Sequence, residues 1–298
     1  IYELVMAPLW LSAFALLDVL IVIGNMLTIL TFIHSPHLRR RSMYLIINLA
    51  VADLLIGLIP LPIFFSGFYY GFIVKLGIPR LLALLHTPLD SWLGLVSIFN
   101  LVLISIERLL AMVFPLRNRR ISGRVYRYII SVSWLLPGII VGLHSWVMFH
   151  GYRYVSADAF KYLSLASTFV LLVMLLTVFS SYTAMVITFK RQSYHTHQMG
   201  NLNQVTQRKQ VQEQRLTWTL FLVTAASLIT WLPFLVINQL YRFTSLKISI
   251  ELAEFTVLLH YLNSVINPIF YVGRISEFKR SLIKLLCKRC RNDDVRDL

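Results

Sequence analysis

The sequence predicts an all-α membrane protein, a single domain over residues 1–298 built as a seven-transmembrane helix bundle with a short amphipathic eighth helix. Three observations predict it. The chain is 57% hydrophobic and 14% charged, with a mean hydropathy of +0.71, whereas a soluble domain carries about 25% charged residues. Its apolar residues gather into seven long stretches rather than one-sided periodicities, and stretches of about 20 residues cross a bilayer core. Its basic residues fall between those stretches, and mostly between alternate pairs of them.

The spans centre on residues 5–33, 43–70, 82–114, 126–149, 160–189, 214–240 and 249–272, and none reads as a cleavable signal peptide. Span one carries Gly24-Asn25, and span two Leu49-Ala50-Val51-Ala52-Asp53. Span three is the richest in polar groups, with Asp90, Ser97, Asn100 and Glu107-Arg108-Leu109. Span four carries Trp134, and span five Tyr182. Span six holds Trp231-Leu232-Pro233, and span seven Asn263-Ser264 and Asn267-Pro268-Ile269-Phe270-Tyr271. The run Phe278-Lys279-Arg280-Ser281-Leu282-Ile283-Lys284-Leu285-Leu286 then alternates apolar and basic faces, which predicts helix eight over 275–287.

Placing the N-terminus outside puts 21 of the 28 Lys and Arg in inner loops and tail. Basic residues favour the cytoplasmic side, so the expected topology is N-terminus extracellular, C-terminus cytoplasmic, in the plasma membrane. The net charge of +15 then reads as topology and contact with anionic lipid rather than a nucleic-acid footprint. Cys287 and Cys290, the two cysteines, both follow the last span. A reducing compartment argues against a disulfide there, and juxtamembrane cysteines are lipidation candidates.

A polar residue within a span is costly in lipid, so each is functional or packed by default. Asp90 and Arg108 lie five helical turns apart on one face, about 27 Å from end to end, one toward each membrane surface. In span seven, Pro268 removes a backbone donor, and Asn267 and Tyr271 flank the break.

These motifs, one per span and in order, resemble those of class A (rhodopsin-like) G-protein-coupled receptors over nearly the whole chain. The resemblance implies a receptor that binds an extracellular small ligand between the outer halves of helices three, five, six and seven and activates a heterotrimeric G protein. It implies a sodium and water pocket of Asp53, Ser97, Asn263, Ser264 and Asn267, and no cofactor apart from that allosteric ion. Arg108 resembles the arginine that docks the G protein, resting on Glu107 and Glu213. Tyr182 and Tyr271 resemble the inner tyrosines that join it. Trp231 resembles the toggle residue under the ligand, and Pro233 the kink that lets helix six swing.

The departures bear on the ligand. Ala83 stands at the usual outer cysteine, Met174 at a common helix-five proline, and Ser227 at a usual helix-six aromatic. The first two resemble the melanocortin, cannabinoid, lysophospholipid and adenosine branch. Asp90 with Tyr261 instead resembles amine receptors, where an aspartate pairs with a ligand ammonium. Trp231, Phe234 and Trp92 would add aromatic surface for a cation, and His260, one position from Tyr261, either lines the pocket or simply packs. A protonated amine is therefore weighed against a lipid, nucleoside or peptide ligand. Residues 252–271 lack the lysine that a retinal pigment requires. A transporter or membrane enzyme is the remote alternative, since no inverted repeat or relay spacing accompanies Asp53 and Asp90.

Overall fold

An apolar backbone in lipid must satisfy its own hydrogen bonds, and a helix does so within one segment. The computed structural model describes residues 6–38, 43–74, 79–114, 121–154, 157–198, 204–244 and 246–287, which are helical with no strand among them. Helix α1 runs Ala7–His34. Helix α2 comes in two pieces, Met43–Leu58 and Pro60–Phe68, and runs into a π-helical turn Tyr69–Ile73. Then follow α3 (Arg80–Val113), α4 (Gly123–Tyr154), α5 (Ala157–Gln198), α6 (Gln204–Phe243), α7 (Ile250–Arg274) and α8 (Ser276–Leu286). Seven of these helices are long and apolar enough to cross a membrane. The protein is a multi-pass membrane protein with an added eighth helix.

The polar stretch 192–214 is helical over its described residues, since α5 extends to Gln198 and α6 begins at Gln204. Its Gln, Lys and Arg are good helix formers, and the two membrane spans supply nuclei to extend. The break in α2 follows from Pro60, which lacks a backbone donor; Ile59 takes φ −125° and ψ −75° there.

Helix α3 is the axis of the bundle, packing against α2, α4, α5 and α6. Its buried positions include Asp90, Leu93, Val96, Ser97, Asn100, Leu101, Ile104 and Arg108, close to a repeat of three and four. Large apolar side chains such as Leu16, Leu135, Phe169, Leu176 and Ile229 stand exposed on the outer faces, where lipid would cover them. The inner core joins Phe32, Leu45, Leu49, Leu101, Leu220, Tyr271 and Phe278. The outer core joins Phe14, Leu61, Leu93 and Tyr261.

Candidate functional site

Three polar sites lie along α3. The middle one is built on Asp53, which is fully buried. Its Oδ1 accepts from Ser97 Oγ at 3.2 Å and Ser264 Oγ at 3.0 Å, and its Oδ2 accepts from Asn267 Nδ2 at 2.6 Å. Helix α1 joins through Asn25, which donates to the Ser264 carbonyl at 3.0 Å. Asn263 is buried but is not among the Asp53 donors, and its Oδ1, like that of Asn267, has no hydrogen-bond partner. Buried oxygens in need of a partner beside a carboxylate are a donor set that fits a hard cation.

One turn to the side is a second network that the sequence reading missed. Asn48 donates to Asn100 Oδ1 at 2.7 Å and Ser133 Oγ at 3.1 Å, and accepts from Trp134 Nε1 at 2.8 Å. It fastens α2, α3 and α4 together. Asn48 is a polar residue within span two, and that cost in lipid is the signal that could have found it.

At the inner end, Arg108 makes a close ion pair with Glu107, Nη2 to Oε2 at 2.6 Å. Tyr126 of α4 donates to the other Glu107 oxygen at 3.3 Å. Tyr182 pairs with Thr224 Oγ1 at 3.0 Å, tying α5 to α6. Tyr271 is buried against Phe278, ring centroids 6.1 Å apart, with its hydroxyl unpartnered. The Glu213 side chain and Cys290 lie outside the described residues, and Cys287 closes α8 with its N–H on the Ile283 carbonyl.

The outer end holds a cavity of about 600 Å³. Asp90 lines it, along with Trp231 and Phe234 from α6 and His260 from α7. His260 Nε2 stands 3.4 Å from Asp90 Oδ1. The Tyr261 hydroxyl is 3.0 Å from His86 Nε2 and close enough to the Asp90 carboxylate to interact with it. His86 was not singled out from the sequence, although it sits one turn before Asp90 on the same face. Helix α4 also lines the cavity through Ile140, His144 and Ser145, a wall not expected from the sequence.

Trp92 must be corrected. It turns away from the cavity, donating its indole N–H to the Trp134 carbonyl at 3.1 Å and meeting Trp134 edge to face at 5.9 Å. Two residues on a helix rotate the side chain by about 200°, which carries Trp92 from the Asp90 face to the α4 face.

A seven-helix bundle with a carboxylate-bearing cavity at one end and a buried arginine at the other is the architecture of a membrane receptor. The family model for the 7 transmembrane receptor (rhodopsin family) matches residues 24–271, and the chain belongs to that family. It is 27% identical to trace amine-associated receptor 13c of Danio rerio over 90% of this chain and 82% of the relative. It is 29% identical to the histamine H2 receptor of Canis lupus familiaris over 95% of this chain and 81% of the relative. It is 26% identical to adenosine receptor A2b of Gallus gallus over 94% and 88%. The protein is a G-protein-coupled receptor for a small ligand, a signal transducer rather than an enzyme.

Proposed function

We propose that the ligand carries a protonated amine and that Asp90 is its anchor. The carrying observation is one carboxylate on the wall of a 600 Å³ cavity whose neighbouring walls are aromatic, Trp231 and Phe234. A carboxylate supplies the counter-charge for an ammonium, and the rings supply cation–π surface. Two of the relatives named above have amines in their names, which supports the reading. The natural setting is the plasma membrane, N-terminus outside, so that this cavity faces the extracellular medium.

The ligand shifts a two-state equilibrium by binding one state better than the other. Trp231 lies at the cavity floor and Pro233 two residues on, so contact there biases the tilt of α6 and opens the inner face to a heterotrimeric G protein. Arg108 is the residue that meets it, with Tyr182 and Tyr271 as its partners in the opened state. Asp53, Ser97, Ser264 and Asn267, with the free Asn263 oxygen beside them, would hold a sodium ion and favour the resting state. Helix α8 lies on the inner leaflet through Lys279, Arg280 and Lys284, and Cys287 at its end is the lipid attachment point.

Removing one partner of a buried charged pair costs about 2–5 kcal/mol, so Asp90→Ala should weaken an amine agonist about 30-fold or more. The measurement is agonist-driven nucleotide exchange on added G protein, at matched surface expression, across a panel of amines, nucleosides, lysolipids and peptides. A neutral or anionic agonist whose potency ignores Asp90→Ala overturns the amine reading.

A further inference from the structure

The place that a ligand ammonium would take beside Asp90 already holds a side chain able to become a cation. His260 Nε2 lies 3.4 Å from Asp90 Oδ1. Its imidazole stacks on Phe234, centroids 4.6 Å apart and planes at 17°, and meets Trp231 edge to face at 4.2 Å. Aromatic surface on two sides and a carboxylate at the end make the environment in which proteins hold organic cations. The other ring nitrogen, Nδ1, is buried and has no hydrogen-bond partner. A proton added there would find no acceptor among the described residues, so the Asp90 carboxylate alone would balance the charge on this ring, whereas His86 has its Nε2 on the Tyr261 hydroxyl.

We propose that His260 is a tethered competitor for the ammonium site, which makes the proton a second, opposing ligand of this receptor. The inference rests on the amine reading of Asp90. Neutral His260 donates one hydrogen bond to the carboxylate and yields it readily. Protonated His260 forms an ion pair with Asp90, and an incoming ammonium must break that pair before it can reach the carboxylate. Proton and amine then exclude each other, and each weakens the other by the same factor.

The groups that face the ring are few among the described residues. Helix α3 presents Asp90 and His86. Helix α7 itself presents Tyr261, whose hydroxyl in turn feels the charge of Glu254. Helix α6 presents Trp231 and Phe234, neither of which ionises in the physiological range. The Trp231 contact gives the switch its direction. This indole is wedged between His260 and Gly94, where an added Cβ would stand 2.8 Å from the ring. An imidazolium fixed on Asp90 would hold Trp231 against Gly94, and α6 with it, in the position the structure shows.

The test uses membranes carrying the full chain at matched surface expression, with nucleotide exchange on added G protein read at roughly pH 6 and pH 8, a range over which an imidazole can change charge. The amine probe is 2-phenylethylamine, which stays protonated throughout. For the wild type, potency should fall about tenfold from the higher pH to the lower, and ligand-free exchange about threefold, within the range of ordinary coupling energies. His260→Gln and His260→Asn should remove both pH effects and raise amine potency at pH 6. His86→Gln should keep them.

An equal pH effect in wild type and both His260 variants overturns the proposal, and leaves the amine reading standing if Asp90→Ala still abolishes the response. If the amine acts on no variant while the His260 substitutions still flatten the ligand-free pH response, the amine reading fails and the proton site stands. If neither the amine response nor the ligand-free response depends on His260 or pH, both fall.

Discussion

Asp53 and Asp90 are both buried aspartates facing the bundle interior, yet their surroundings divide their labour. Asp53 has three side-chain donors on its two oxygens, while Asp90 shares its carboxylate with a histidine in an open cavity. The first is built to retain something small, the second to exchange partners. Sodium should therefore lower agonist affinity when it replaces a bulky organic cation at constant ionic strength. Asp53→Asn should erase a shift of about threefold or more, because the amide keeps the shape and loses the charge that retains the ion. Agonist competition binding at two sodium concentrations checks it, and wild-type sodium sensitivity in the variant would sink the assignment. At this scale the sequence was informative about residue types and weak about pairs. Asp53, Ser97, Ser264 and Asn267 were grouped by the resemblance of their motifs, and the structure hydrogen-bonds the other three to Asp53. The pairing of Asp90 with His260 could not, because it depends on how far α7 leans toward α3.

At the scale of elements, helix α8 shows how a short amphipathic segment gains a fixed place. Eleven residues are too few for a stable isolated helix in water. Phe278 holds this one, fully buried between Phe32 of α1 at 5.4 Å and Tyr271 of α7 at 6.1 Å. Phe278→Ala should remove about 3 kcal/mol of packing and free α8 from the bundle. The expected outcome is faster amide hydrogen exchange over residues 276–286, with α3 and α7 little changed; unaltered exchange there would show that Phe278 does not hold the helix. The alternation of basic and apolar residues announced α8 plainly. Trp92 shows the opposite failure, since residue type suggested the cavity while helix rotation sends it to α4. The extension of α5 and α6 beyond the membrane was hidden because polar composition alone does not separate a solvated helix from a loop.

For the whole molecule, the question is what holds the inner face closed. Arg108 is buried and rests on Glu107 at 2.6 Å, and Glu107 is braced by Tyr126. A buried charge released from its partner seeks another, and an arriving G protein is one. Glu107→Gln should raise basal nucleotide exchange several-fold, on the order of 1 kcal/mol in the resting equilibrium. Arg108→Ala should abolish activation by any agonist at equal surface expression. A silent Glu107→Gln beside an active Arg108→Ala would count against the latch.

The sequence by itself determined the seven spans, the eighth helix and the receptor family. Each follows from local quantities: hydrophobic length, basic residues and motifs carried singly on successive helices. Only the tertiary structure decided that His86 joins Asp90, Tyr261 and His260 in one cluster, that α4 walls the cavity and that Trp92 does not. Those facts depend on the rotation and lean of each helix against its neighbours. Such lean is set by packing among residues 170 or more positions apart, such as Asp90 and His260, and no local pattern along the chain records it.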